Sequence, residues 1–371
     1  MIQAPARSRW KAQRLEPHPP GPMVGTAIAE PPRVRGRAVI APAQRVWIGR
    51  LGWATVAPMA VGVVARLLGA DRSTASVWAN ALAPWAYLPV YPVAVLALRA
   101  RTRCLSLLAV GVGATHLALV LPDLHPARAI PAAALDAPRL RLLTANLSDS
   151  NPTPGAMARA VLSTEADILV LQELTPCHQR GLEQAGVLAA YPFVAADPRP
   201  GAVGSAIYSR LPLQDAQVWR AGGQPMTRCT VQVGTTHMRL YNVHTTGPTT
   251  ASDRSRWAAQ LAGVAAALRE EPTPLVVAGD FNATRYHGSF QALLEHGRLR
   301  DAHRERGRGL VATWPANRRL LPPLARLDHV LVSSGITVLD VAERTGPGSD
   351  HRMVLAELAV PPGPPGGRST Q

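Results

Sequence analysis

Three charge-poor apolar runs near the front limit what this chain can fold into more than any other feature. Residues 51–70 are interrupted only by Arg66, residues 77–98 carry no charge, and residues 104–121 contain His116 as their polar titratable group. Each approaches the roughly 20 residues that a helix needs to cross a bilayer core. Pro84, Pro89 and Pro92 would kink the second run, which membrane helices tolerate better than soluble ones. The competing arrangement is a buried helical hairpin in a soluble domain, but three such runs with short connections are hard to bury that way.

The flanking charges give an orientation. Arg33, Arg35, Arg37, Arg45 and Arg50 precede the first run, and Arg99, Arg101 and Arg103 separate the second from the third. The first connection has one Arg, Arg72, against one Asp, Asp71. The positive-inside rule then places the N-terminus and the second connection in the cytoplasm, and whatever follows the third run outside it. Residues 1–45, with Pro17, Pro19, Pro20, Pro22, Pro31 and Pro32 and little apolar periodicity, read as a disordered, basic cytoplasmic tail. They lack the apolar segment and small-residue cleavage site of a signal peptide. Residues 46–121 form the expected three-helix membrane anchor, and the Pro-rich residues 122–138 a linker.

The net charge of +15 is concentrated at the front, where residues 1–50 hold nine basic and two acidic side chains. Beside apolar runs this suggests a membrane-proximal tail, although charge alone fits a nucleic-acid arm too. Cys104, Cys177 and Cys229 have no metal-like spacing. Cys177 and Cys229 could pair if the back domain lies outside the cytoplasm.

From residue 139 strand and helix signals alternate. Strands are expected over 139–146, 167–171, 204–209, 226–233, 237–244, 274–279, 327–332, 337–343 and 353–359, and helices over 154–165, 252–269 and 287–296. The tail 361–371 is Pro- and Gly-rich and reads as disordered. The most telling strand end is Leu275-Val276-Val277-Ala278-Gly279-Asp280-Phe281-Asn282. Residues i and i+2 of an extended chain face one side, so Asp280 and Asn282 address one space. A polar turn after a buried strand would look the same in isolation.

Four further clusters stand at strand ends: Thr144-Ala145-Asn146, Gln172-Glu173, Val243-His244-Thr245, and Leu327-Asp328-His329 with Ser349-Asp350-His351. With Gly204-Ser205-Ala206-Ile207-Tyr208-Ser209-Arg210-Leu211-Pro212, and in this order, residues 139–360 resemble the endonuclease/exonuclease/phosphatase superfamily. The resemblance implies a four-layered α/β sandwich, two central β-sheets flanked by helices, with a divalent-metal phosphohydrolase site. It casts Glu173 as the principal Mg²⁺ ligand (Mn²⁺ being an alternative), with Asn146 beside it and Asp350 contributing. Asp280 would orient or deprotonate the attacking water, Asn282 would hold phosphoryl oxygens, and His351, aligned by Asp328, and His244 would complete the catalytic set. His329 is structural, since strand alternation points it away from Asp328. The sequence after Asn146 departs from the nuclease pattern, leaving Asp149 and Asn151 as substitutes for a second metal contact.

The residue types suit the chemistry independently. Phosphate-ester hydrolysis builds charge on nonbridging and leaving oxygens, which a hard cation held by carboxylates offsets and which Asn and His can address with directed donors.

A basic tail, three spans and an external catalytic domain resemble the membrane-anchored bacterial branch of VanJ-type glycopeptide-resistance proteins. That likeness implies a lipid-linked phosphate or pyrophosphate, such as a polyprenyl carrier, as substrate and the bilayer as partner. The alternatives are a tethered metal-dependent nuclease and a catalytically inactive interaction protein. The back domain's modest charge and lack of an aromatic-and-basic ladder disfavour nucleic acid. The retained carboxylates and imidazoles disfavour a dead site. Arg298, Arg300, Arg304, Arg306, Arg308, Arg318 and Arg319 form an Arg-rich segment that fits either an anionic headgroup or a solvated loop.

Overall fold

The computed structural model describes residues 41–68, 71–271 and 274–362. The tail expectations for residues 1–40 and 363–371 lie outside them. The first helix, α1, covers Pro42–Leu67 and so begins within the stretch read as tail. It is followed by α2 (Thr74–Ala81), α3 (Ala83–Ala86), α4 (Val90–Ala100) and α5 (Arg103–Val120). By length and composition α1 and α5 can each cross a membrane. The second apolar run is not one straight span, because α2 and the α3–α4 segment meet at 82°. Just beyond the bend Pro84 sits in the first turn of α3 and Pro89 caps the start of α4, where their missing N–H groups cannot continue a preceding helix.

Packing fixes which helix ends lie together. A Cβ on Gly52 would approach Leu105 to 2.5 Å, and one on Gly62 would approach the Tyr87 hydroxyl to 2.7 Å. The start of α5 thus lies beside the first half of α1, together with the α4–α5 turn and its Arg99, Arg101 and Arg103. The opposite ends abut the following domain, where Arg66 donates to the Tyr286 carbonyl and Arg285 to the Leu119 carbonyl. Faces turned outward are apolar, with Leu51, Val61, Leu107 and Leu117 all exposed.

After a 3₁₀ turn at Leu121–Asp123 come α6 (Ala132–Leu135), β1 (Arg139–Asn146), α7 (Pro154–Leu162), β2 (Ile168–Gln172), α8 (Pro176–Gln184) and α9 (Val187–Ala190). Then follow β3 (Phe193–Asp197), β4 (Ser205–Ser209), β5 (Leu213–Ala221), β6 (Gln224–Val233), β7 (Thr236–His244), α10 (Ala251–Leu268) and β8 (Leu275–Asp280). The chain continues through α11 (Gly288–His296), β9 (Arg300–Asp301), α12 (Ala302–Glu305), β10 (Asp328–Val332), β11 (Thr337–Thr345) and β12 (Arg352–Ala359).

Two six-stranded mixed sheets result, ordered β11-β12-β1-β2-β4-β3 and β5-β6-β7-β8-β10-β9. Each has a parallel pair at its centre, β1 with β2 across α7 and β7 with β8 across α10. Both faces of these strands are covered, which is why they read as unbroken apolar runs. Leu140 and Leu142 of β1 meet Val276 and Ala278 of β8 between the sheets. Leu143 and Ala145 turn to Met157 and Val161 of α7, while Leu275 and Val277 turn to Trp257 and Leu261 of α10. Helix, sheet, sheet, helix is therefore the layer order, the α/β sandwich expected from the sequence.

The connection at residues 122–138 is pinned rather than free. Asp123 is buried and accepts from Arg285 at 3.0 Å and from the Tyr286 hydroxyl, and the Arg128 amide donates to the Glu305 carbonyl at 2.9 Å. The α1–α2 end is fastened as well. Asp71 accepts from the Ser289 amide and hydroxyl, and Arg254 donates to Thr74 at 3.0 Å. His287, fully enclosed, takes the Thr284 amide on Nδ1 at 2.9 Å, leaving Nε2–H to donate to the Val77 carbonyl at 3.0 Å.

That pattern needs a neutral imidazole, and burial holds His287 below its ordinary value. The unfolded chain takes up the proton first once the pH drops below the ordinary imidazole value of about 6.5, so His287 contributes stability that is lost on acidification. The expected outcome is that detergent-solubilised His287→Gln melts lower than wild type at about pH 7.5 but loses less on acidification to about pH 5. Thermal melts at the two pH values measure this, and parallel slopes would exclude His287 as the group responsible.

Candidate active site

The site is assembled by strand register. Parallel pairing sets His244 opposite Asp280, and antiparallel pairing sets Asp328 opposite Asp280. Neighbouring strands lie about 4.8 Å apart, so three functional side chains leave the sheet edge side by side. Gly279, with φ of 145°, is required there because a Cβ would stand 1.9 Å from the Val243 carbonyl oxygen. In the other sheet the parallel pair ends at Asn146 and Gln172. Glu173 follows with φ of 56° and Asn282 with φ of 45°, left-handed conformations that a non-glycine residue adopts only when its surroundings hold it there.

Gln172 does not face the cleft; it joins the sheets. Its Nε2 donates to Asn242 Oδ1 at 2.8 Å, and Asn242 Nδ2 donates back to the carbonyls of Leu171 at 2.8 Å and Ala206 at 3.0 Å. Both side chains are completely buried. A satisfied polar pair in an otherwise apolar layer selects one relative position of the sheets.

Asp280 lies at the centre. Its Oδ2 accepts from Asn146 Nδ2 at 3.0 Å and from Asn282 Nδ2 at 3.3 Å, and both His244 Nε2 and His351 Nε2 stand 3.8 Å away. Asn146 Nδ2 also donates to Glu173 Oε1 at 2.9 Å, bridging the two carboxylates, while Glu173 Oε2 accepts the Asp149 amide at 2.7 Å. His351 Nδ1 donates to Asp328 Oδ2 at 2.9 Å. Asp328 Oδ1 and His244 Nδ1 are buried without a hydrogen-bond partner.

Burial pushes the Asp280 carboxyl up, against the pull of His351. Burial opposes protonation of His351 too, yet the Asp328 and Asp280 carboxylates outweigh it and push the imidazole up to about 10. The raised proton affinity of His351 favours donation from Nε2 over service as a base.

A cleft of about 580 Å³ opens over this cluster. Glu173, His244, Asp280, Asn282, Asp350 and His351 line it, and Asn146 and Asp328 stand behind them. All eight residues anticipated from the sequence thus converge. Among the described residues, the His, Asp and Glu side chains with ligand atoms mutually within 4.8 Å are Asp280, Asp328 and His351. Glu173, flanked by Asn146 and Asp280, adds a third carboxylate, so the donor set is rich in the hard oxygen atoms that a divalent cation such as Mg²⁺ accepts. Asp350 is placed differently from Glu173, with its Oδ2 taking the Trp314 indole N–H at 3.0 Å.

Other expectations are corrected. Asn151 is occupied in tying loops, donating to the Leu147 and Pro347 carbonyls and accepting the Thr153 amide. None of the seven arginines between 298 and 319 lines the cleft. Arg300 pairs with Glu305, Arg304 with Asp123 and Arg308 with Glu343, because buried carboxylates behind the sheet need cations. The arginine at the cleft is Arg256. Cys177 is exposed, Cys229 is buried, and both are free thiols. His329, in contrast, is structural as expected, between Asp301 at 2.8 Å and the Ala283 carbonyl at 2.9 Å. Trp78 and Trp314, both at the cleft, carried no signal in the sequence.

The family model for the Endonuclease/Exonuclease/phosphatase family matches residues 130–351, and the chain belongs to that family. Among solved structures, an endonuclease/exonuclease/phosphatase from Bacteroides vulgatus is 16% identical with a TM-score of 0.50, over 60% of this chain and 99% of that one. A functionally unknown conserved protein from Enterococcus faecalis V583 is 18% identical with a TM-score of 0.50, over 60% of this chain and 100% of its own. These likenesses concern the fold alone. A comparison with curated proteins gave no match.

Removing the Asp328 charge takes away the main support of the His351 imidazolium. In metal-free protein held in EDTA, the His351 nitrogen shifts should stay those of a cation through about pH 9 in wild type. In Asp328→Asn they should titrate well below that, and identical titrations would contradict the charge coupling.

Proposed function

We propose that this protein is a membrane-anchored, divalent-metal-dependent phosphohydrolase acting outside the cytoplasm on a lipid-linked phosphate or pyrophosphate, such as a polyprenyl carrier. The observation that carries the reading is that one compact body joins the carboxylate and imidazole cluster to helices with apolar outer faces. The arginines of the α4–α5 turn lie at the end of the bundle away from the cleft, which by the positive-inside rule supports an external catalytic domain.

Glu173 is the principal Mg²⁺ ligand in this reading, with Asn146 adjacent and Asp350 contributing; Mn²⁺ meets the same donor set. When bound there, a divalent cation would supply positive charge against the phosphoryl and leaving oxygens. Asp280 accepts a hydrogen bond from the attacking water and takes its proton, a role that its raised affinity for protons favours. His351, held cationic by Asp328, donates from Nε2 to a phosphoryl oxygen. Asn282 adds a second donor to the phosphoryl group, and His244 serves the leaving-group side.

The test uses full-length protein in detergent with a polyprenyl pyrophosphate and, separately, plasmid DNA. Phosphate release should require Mg²⁺, vanish in EDTA and return on adding the metal. Asp280→Asn should lower kcat by about a hundredfold or more. Plasmid nicking without phosphate release would assign the chain to the nucleases, and neither activity would leave an interaction protein.

A further inference from the structure

The cleft has two chemically distinct sides. Its floor is the polar cluster around Asp280, whereas one wall is apolar and comes from two parts of the chain far apart in sequence. Val77, Trp78 and Ala81 belong to α2, and Trp314, Ala325 and Leu327 belong to the catalytic domain. The Trp78 and Trp314 rings meet across the mouth with centroids 6.0 Å apart. Trp314 is oriented by Asp350, and Trp78 remains partly exposed.

The helix α2 is not loosely applied. The His287 contact to the Val77 carbonyl, the Arg254 contact to Thr74 and the Asp71 contacts to Ser289 fasten it to the domain at three points. Beyond the 82° bend the same run continues into α4, where Leu88, just before the helix, and Tyr91, in its first turn, are exposed. Apolar side chains therefore run from the cleft wall at Trp78 toward the outer surface of the bundle. Inorganic phosphate has no use for such a wall; a hydrocarbon chain attached to a phosphate does.

We propose that α2 is part of the substrate site: Trp78, with Trp314 packed beside it, offers one apolar face to the first segments of the hydrocarbon chain of a lipid phosphate while its head group lies on the Asp280 cluster. This rests on the lipid-phosphate reading and adds a specificity-determining residue to it. Trp78 touches the chain, not the reacting phosphorus, so it governs which substrates are selected rather than the hydrolytic step. The anchor thus serves as a wall of the active site as well as an attachment.

The experiment measures kcat/KM for a long-chain polyprenyl pyrophosphate and for a one-isoprene pyrophosphate with the same head group, using full-length protein in one detergent. The readout is the ratio of the two values. Trp78→Ala should lower that ratio about tenfold, mainly through KM for the long chain, and Trp78→Phe should restore most of it. Trp53→Ala, which alters an exposed indole in the first half of α1, should keep the wild-type ratio. An unchanged ratio in Trp78→Ala, or an equal loss in Trp53→Ala, would overturn the assignment while leaving the lipid reading intact. Wild-type protein with no preference for the long chain would overturn both.

Discussion

The catalytic cluster depends on the hydrogen-bonded pair Gln172 and Asn242, which fastens one sheet to the other directly beneath the cleft. Glu173 and Asn146 belong to the first sheet, His244, Asp280 and Asp328 to the second. Apolar packing between sheets is non-directional, so it fixes their spacing better than their lateral register. A buried amide pair with its donors satisfied penalises a slip by stranding polar groups in an apolar layer. The 3.6 Å approach of His244 to Glu173 across the two sheets follows from that registration.

Electrostatics then separates groups of similar type into different tasks. Asp280 and Asp328 are paired residues in adjacent strands, both buried. Asp328 is engaged with His351, while Asp280 lines the open cleft with two imidazoles at its far oxygen. Two carboxylates in one register thus end in different settings, one bound to an imidazole and one facing the cleft.

Much of this was legible in the sequence, for identifiable reasons. β1 and β8 were readable because strands buried on both faces are continuously apolar, and the polar clusters lay at their ends. The edge strand β5 was not, since Gln214, Asp215, Gln217 and Arg220 face solvent and resemble a loop. The kink in the second apolar run was legible from Pro84, Pro89 and Pro92, but not its 82° size, because composition records hydropathy and not the direction of a helix axis. The arginine row stayed open between a headgroup site and a solvated loop, because charge density in sequence says nothing of which carboxylates the fold sets beside it. Trp78 and Trp314 are 236 positions apart by their numbers, a separation that only the fold closes.

The pinning of both the α1–α2 and α5 ends has a geometric consequence. Asp71, Asp123, Arg285 and His287 clamp the domain at several points, so it has little freedom to swing on a tether. A domain held this rigidly acts as a ruler. It presents its cleft at one fixed height above the helix bundle.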